Sequence, residues 1–182
     1  GRFLPNADRP TFGWTLMRAP RRLDPDRAAE HLPRLYRAAR AWTRSREEAE
    51  DLVQETYARV LARPRLIRGE DEVGYLFRAL RNTLISQRRT EQRRPMTTEL
   101  LDESPLGARA SDDPAEEIET RQVYAAIAAL PQEFRDALVA VDVTGLSYPE
   151  AARALGVPEG TLTSRLFRAR DRVARRLSGE EA

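Results

Sequence analysis

Apolar side chains recur every three or four residues along most of the 182-residue chain, which is the period of an α-helix. Alternation of apolar and polar residues, the mark of a half-buried strand, forms no convincing run. The pattern predicts three helices in the first half of the chain, over about 28–43, 46–63 and 73–94. It predicts four more in the second half, over about 114–130, 131–143, 148–155 and 159–177. We therefore expect an all-α protein.

The helical pattern stops between residues 95 and 114, where three prolines and five acidic residues stand against one arginine. Such a composition predicts an exposed, flexible acidic linker. It divides the chain into two small helical domains, residues 25–94 and residues 115–182. Residues 1–24 are irregular and are interpreted as an N-terminal extension or an expression remnant, without an assigned function.

Two serines are followed three residues later by a glutamate, directly before an apolar helical run. Ser45 with Glu48, and Ser147 with Glu150, therefore predict capping boxes at two helix starts. The second of these helices ends at Gly156, and a longer, arginine-rich helix follows the turn. This order is typical of a helix-turn-helix, whose second helix lies in the DNA major groove. The alternative is an ordinary helical bundle closed by a solvated basic helix.

All 31 cationic side chains are arginines, and 29 acidic residues nearly balance them. Two stretches depart from this balance, because residues 78–94 and residues 165–176 each hold six arginines and one acid. Two separate basic helices in a nearly neutral chain indicate two contacts with a polyanion such as DNA. A solvated helix face is the simpler interpretation of either stretch taken alone.

Composition also removes several classes of function. The chain has no cysteine and one histidine, which excludes a disulfide framework, a zinc finger and a thiol nucleophile. No carboxylate pair, Ser/His arrangement or glycine-rich phosphate loop stands in a plausible context, so we expect neither an enzyme nor a bound cofactor or metal. No apolar run is long enough to cross a bilayer, and we expect a cytoplasmic protein.

An acidic helix face in the first domain stands out in a chain that otherwise favours cations. Asp51, Gln54 and Glu55 fall on one side of the second predicted helix. A negative surface repels DNA and suits a basic protein partner, so we interpret it as a docking face. A merely solubilising helix face is the alternative.

These features together resemble a known family. The segments AEDLVQETYARVL, GYLFRALRNTLI and LPQEFRDALVAVDVTGLSYPEAARALGVPEGTLTSRLFRAR, in this order and spacing, are similar to bacterial RNA polymerase sigma factors of the extracytoplasmic-function (ECF) group. The resemblance covers about residues 25–177. It implies a dissociable specificity subunit that has no catalysis of its own, binds core polymerase and directs promoter-specific initiation.

The resemblance also implies roles for single residues. Asp51, Gln54 and Glu55 match the motif that binds the β′ clamp of the core enzyme, whose β flap is a further expected partner. The minus-10 DNA residues implied are Arg68, Tyr75, Arg78, Asn82, Arg88 and Arg89. The minus-35 residues implied are Gly160, Thr161, Thr163, Ser164, Arg165, Phe167 and Arg168. The acidic linker corresponds to the connector that runs toward the polymerase active site.

Two positions depart from the family pattern. Tyr75 stands where tryptophan is common, and Thr163 stands where lysine or arginine is frequent, which removes a cation from the groove. The resemblance further implies control by an anti-sigma factor.

Two other hypotheses for the function remain open. One is a stand-alone helix-turn-helix regulator, which would bind paired half-sites as a dimer. The other is a sigma mimic that only titrates an anti-sigma factor.

Overall fold

The computed structural model describes residues 21–63, 66–67, 72–93 and 118–179. We call the described residues up to 93 the N-terminal unit and residues 118–179 the C-terminal unit. The predicted linker, its flanking helix cap and Arg68 lie outside the described residues. Within them the expected all-α fold is confirmed, with one two-residue strand pair as the small exception.

The N-terminal unit contains four helices, and its two short strands pair antiparallel, Arg21 opposite Ile67 and Arg22 opposite Leu66. Helix α3 begins where the Ser45 hydroxyl accepts a hydrogen bond from the Glu48 backbone N–H. The predicted capping box is only half formed, because the Glu48 carboxylate accepts from the Arg44 N–H at 2.9 Å. The elements in chain order are β1 (Arg21–Arg22), α1 (Pro25–Glu30), α2 (Leu32–Trp42), α3 (Arg46–Ala62), β2 (Leu66–Ile67) and α4 (Glu72–Arg93).

The first predicted helix is in fact two. His31 ends α1 and also precedes the first residue of α2, and the ring of Pro33 sits in the first turn of α2. A proline is tolerated there because the first backbone N–H groups of a helix have no intrahelical partner. The Tyr57 hydroxyl of α3 donates to the Ala28 carbonyl at 2.7 Å, which ties α3 to α1.

The C-terminal unit also has four α-helices, and the one predicted over 131–143 changes character at its end. After Leu138 the backbone widens into a π-helical segment, Val139–Val143, in which the Thr144 hydroxyl donates to the Val139 carbonyl at 2.8 Å. The helices are α5 (Ile118–Ala128), α6 (Gln132–Leu138), α7 (Tyr148–Leu155) and α8 (Glu159–Ser178).

The turn between α7 and α8 has the geometry of a helix-turn-helix. Gly156 ends α7 with φ +69°, a left-handed conformation that favours glycine, and Pro158 precedes the first residue of α8. Leu162, Leu166 and Ala169 of α8 are completely or almost completely buried. The predicted helix-turn-helix is therefore confirmed.

One hydrophobic cluster includes buried side chains of both units. Trp42 and Phe77 pack with ring centroids 5.2 Å apart and join α2 to α4. Helices of the C-terminal unit contact α2 and α4 directly. The two predicted domains are thus packed against each other in this structure.

We predict that Ser147→Ala destabilises the chain by about 1 kcal/mol at neutral pH, because Ser147 donates to the Glu150 carboxylate at 2.6 Å from its hydroxyl and at 2.8 Å from its backbone. The hydroxyl hydrogen bond is the main reason that the pKa of Glu150 lies below its ordinary value of 4.5. Because the pKa of Glu150 is lower in the folded chain, its ionised carboxylate stabilises the fold at pH values above 4.5. This stabilisation is lost as the pH falls through the lowered pKa.

The stability difference between variant and wild type should therefore narrow below about pH 4.5. Thermal unfolding followed by circular dichroism across this pH range measures it. Ser178→Ala is the matched control, since the Ser178 hydroxyl donates only to a carbonyl at the end of α8. An equal loss of stability in the Ser147 and Ser178 variants would contradict the assignment of the effect to the helix cap.

Candidate docking and nucleic-acid surfaces

The predicted docking residues lie on the outer side of α3, but they are not equivalent. Asp51 and Gln54 are exposed, whereas Glu55 is half-buried. The Glu55 carboxylate accepts hydrogen bonds from Arg59 on its own helix and from the Gln87 amide on α4. Asp51 is therefore exposed to solvent, whereas Glu55 also holds α3 against α4.

A polar groove of about 780 Å³ runs beside these residues between α3 and α4. Asp51 and Glu55 line one side, and Arg88 lines it from α4. The Arg88 guanidinium donates to the Trp42 carbonyl at 2.9 Å, and its burial lowers the pKa of Arg88. Among the predicted minus-10 residues, Arg88 is thus already engaged in joining α4 to α2.

The other predicted minus-10 residues on α4 remain accessible. Arg78, Asn82 and Arg89 are exposed, and Tyr75 is half-buried. Their spacing places the accessible side chains along a basic strip of a 22-residue helix. Leu76, Phe77 and Leu80 are completely buried on the opposite side and hold the helix in place.

Tyr75 and Asn82 line one cavity of about 270 Å³ between α3 and α4. Arg59 and Arg63, on the last turn of α3 and directly after it, line the same cavity. It thus combines an aromatic ring, an amide that both donates and accepts, and two cations. Sequence patterns alone missed both arginines, since neither belongs to the basic stretch on α4.

The predicted minus-35 residues lie along α8, away from its buried stripe. Gly160, Thr163, Ser164 and Arg168 are exposed, Thr161 and Arg165 are half-buried, and Phe167 is 74% exposed. The Phe167 ring therefore makes little contact with the rest of the chain. The Thr163 and Ser164 hydroxyls donate to carbonyls of their own helix, at 2.9 and 3.0 Å, and their oxygens can still accept. The face of α8 therefore combines hydroxyl acceptors, guanidiniums and one exposed aromatic ring.

Two arginine contacts hold α8 in place. Arg170 binds the Asp142 carboxylate through two nitrogens, at 2.9 and 2.7 Å, and this pairing raises the pKa of Arg170. The Arg172 guanidinium lies over the Phe134 ring of α6, 4.9 Å from its centroid. Two of the arginines of α8 therefore help to fix the orientation of this helix in the C-terminal unit.

Among the described residues no helix is sufficiently long and apolar to span a membrane. Histidine and carboxylate side chains of the same part of the chain form no cluster suited to a metal ion.

Two family models match this chain, one in each of its two units. The family model for sigma-70 region 2 matches residues 28–94, and the model for sigma-70 region 4 matches residues 120–173. The ECF RNA polymerase sigma factor SigM of Mycobacterium tuberculosis is 36% identical over 149 residues, which cover 81% of this chain and 73% of that protein. The chain belongs to the ECF sigma factors.

Other members of the family show the same relationship. The ECF sigma factor SigE of Mycolicibacterium smegmatis is 36% identical over 149 residues, and the chain spans 57% of its length. SigM of Bacillus subtilis is 30% identical over 140 residues, covering 76% of this sigma factor and 85% of the relative.

Solved structures share the fold of this sigma factor. The sigma factor RpoE of Bartonella quintana, in complex with the anti-sigma factor NepR, has a TM-score of 0.65 and 26% identity, covering 84% of this chain and 95% of that one. CnrH in complex with the cytosolic domain of CnrY has a TM-score of 0.60 at 22% identity and supports the fold alone, over 86% of this chain and 88% of that one.

We predict that Phe167→Ala changes the free energy of unfolding by less than about 0.5 kcal/mol, because the ring is largely in solvent. The neighbouring change Leu166→Ala, at a side chain only 1% exposed, should cost roughly 2–5 kcal/mol. Chemical denaturation measures both. A large loss for Phe167→Ala would mean that the ring packs within the protein and is not free for a ligand.

Proposed function

We propose that this sigma factor binds core RNA polymerase through α3 and directs initiation at promoters that it reads with two helices, α4 at the minus-10 element and α8 at the minus-35 element. In this assignment residues 25–94 form the region 2-like domain and residues 115–182 the region 4-like domain. The observation that carries the proposal is the outward face of α8, where Phe167 is 74% exposed on the second helix of a helix-turn-helix.

Recognition of the minus-35 element would use the major groove. The Ser164 hydroxyl, which donates to the Thr161 carbonyl, would accept from a base edge, and Arg168 offers a planar fork that suits guanine. Phe167 supplies an apolar surface for the methyl group of thymine. Thr163 carries no charge, so the arginines of α8 supply the cations of this face.

Recognition of the minus-10 element would use the cavity beside Tyr75 and Asn82. Moving a base out of the DNA stack costs a few kcal/mol of free energy. Stacking on an aromatic ring and hydrogen bonds to the base can offset this cost. The Asn82 amide offers both a donor and an acceptor, and Tyr75 offers a ring. Arg78 and Arg89 are exposed on α4 and would neutralise phosphates of the displaced strand.

Docking to the core enzyme would use the exposed carboxylate of Asp51 and the amide of Gln54 against a basic partner surface such as the β′ clamp. The β flap would contact the C-terminal unit. Control by an anti-sigma factor is supported by the similarity to RpoE, which was solved in complex with NepR.

The direct test is run-off transcription with purified bacterial core polymerase on fragmented genomic DNA of the source, with and without the full chain. Discrete new transcripts that share two upstream elements support the proposal. No transcripts and no co-elution with the core would favour a stand-alone regulator or a decoy. A dimer in solution would then indicate the regulator, and binding to an anti-sigma factor without binding to DNA would indicate the decoy.

Asp51→Arg should abolish co-elution with core polymerase while binding to an isolated minus-35 duplex is unchanged, because the substitution reverses the charge of the docking face only. Glu119→Arg makes the same charge change at an exposed position of α5 and should retain core binding. Unchanged affinity of the Asp51 variant for the core would refute the docking assignment.

Asn82→Ala should slow promoter opening roughly tenfold, because the flipped base loses a hydrogen-bonding partner. A template melted beforehand at the minus-10 element should restore most of the rate. Gln92→Ala removes another exposed amide from α4 and is the matched control. A defect that persists on the melted template would assign Asn82 to folding or docking instead.

A further inference from the structure

The chain before α2 contacts both ends of the connection between α3 and α4. Strand β1 pairs antiparallel with β2, Arg21 opposite Ile67 and Arg22 opposite Leu66. Leu23, directly after β1, is 4% exposed, and Ile67 is 5% exposed. Backbone pairing and two buried side chains therefore fix the position of β2, through which the chain passes from α3 toward α4.

The other end of this connection is held by α1. Glu72 is the first residue of α4, and its side chain is only 3% exposed. The Arg27 Nε atom lies 3.3 Å from the Glu72 Oε2 atom, and the His31 Nε2 atom lies 3.7 Å from the same oxygen. Because a buried carboxylate is costly without a cation beside it, Arg27 stabilises Glu72 in this position. Helix α1 thus fixes the start of α4.

A third contact joins the same part of the chain to α3. The Tyr57 hydroxyl donates to the Ala28 carbonyl at 2.7 Å, and burial raises the pKa of Tyr57 to about 12. The hydroxyl therefore keeps its proton, and with it this hydrogen bond, at neutral pH. We call residues 21–31 the N-terminal segment. It contacts α3, β2 and α4, which are the three elements of one connection.

These contacts lie next to the cavity that is proposed to hold a flipped base. Tyr75, which lines the cavity, stands three residues after Glu72 and therefore on the same face of α4. Arg63, which lines the cavity from the end of α3, stands three residues before Leu66. A displacement of β2 or of the first turn of α4 would therefore move the walls of the cavity. A site that is loose by about 1 Å loses much of its selectivity.

We propose that the N-terminal segment positions the minus-10 reading site: by holding both ends of the connection between α3 and α4, it sets the shape of the cavity and hence the base preference at this element. Leu23 and Arg27 are positioning residues in this proposal, and neither has to touch DNA. The role in reading rests on the function proposed above, whereas the support of the connection does not. Sequence analysis gave residues 1–24 no function, because pairing with a distant strand leaves no local pattern.

Leu23→Ala tests the support on the full chain, because it removes buried contacts next to β1. Hydrogen–deuterium exchange should become roughly tenfold faster at the backbone N–H groups of β2 and of the first two turns of α4, relative to the rest of the chain. Leu146→Ala is the matched control, since Leu146 is also 4% exposed but lies in the C-terminal unit. It should leave the exchange of β2 and α4 unchanged, relative to the rest of the chain.

The effect on reading is measured with core polymerase on a promoter identified by the run-off experiment above. The rate of promoter opening is compared between this promoter and copies in which one base of the minus-10 or the minus-35 element is changed. The ratio of the two rates is the discrimination at that element. It is compared among variants because a ratio cancels differences in the amount of folded protein.

Leu23→Ala and Arg27→Gln should each lower the discrimination at the minus-10 element roughly threefold or more and leave that at the minus-35 element unchanged. The Arg27 side chain is 44% exposed, so this variant is expected to fold even if Leu23→Ala does not. Arg46→Gln removes an arginine from an exposed pair with Glu50 on α3 and is its matched control. Arg46→Gln and Leu146→Ala should both retain the minus-10 discrimination.

Three results would overturn the proposal in different ways. Unchanged exchange of β2 and α4 in Leu23→Ala would overturn the support of the connection. Faster exchange with unchanged minus-10 discrimination, or an equal loss of discrimination at both elements, would overturn the role in reading. If even wild type supports no transcription, the proposed function and the role in reading fail together, while the exchange rates still decide whether the N-terminal segment holds the connection.

Discussion

Burial of one apolar face per helix is the constraint on which the rest of this structure depends. The α-helices have 6 to 22 residues, and helices of this length are marginal in water without tertiary contacts. Phe77 and Leu80 on α4, and Leu162 and Leu166 on α8, have essentially no solvent exposure. Because each of these helices is held from its inner side, its outer side is free to carry the polar groups that the proposed function needs.

Arginine serves two purposes in this chain, and total charge does not distinguish them. Arg78 and Arg168 remain exposed, whereas Arg88 and Arg135 are desolvated and hydrogen-bonded to backbone carbonyls. A guanidinium has five donors and stays charged when half-buried, so it can connect helices where an ammonium would lose its proton more readily. In this chain without lysine, arginine thus both connects buried helices and lies on exposed surfaces.

Polar contacts as well as apolar packing join the two units of this sigma factor. The Arg81 guanidinium donates to the Asp136 carboxylate across this boundary at 2.7 Å, and Arg34 donates to the Gly145 carbonyl at 3.2 Å. The Asp136 side chain is 6% exposed, so the contact with Arg81 is largely shielded from solvent. The same residue lies outside every surface proposed to touch DNA or polymerase.

Local patterns in the sequence determined most of the secondary structure and the family. Helical period, the Ser147–Glu150 box and Gly156 predicted the helix-turn-helix, because caps and left-handed turns depend on neighbours a few residues away. Only the tertiary structure decided that Arg81 and Arg88 turn inward, that Arg59 and Arg63 join Tyr75 at one cavity, and that the units pack together. Those outcomes depend on residues such as Arg81 and Asp136, 55 positions apart, and no local period records which distant side chain will approach.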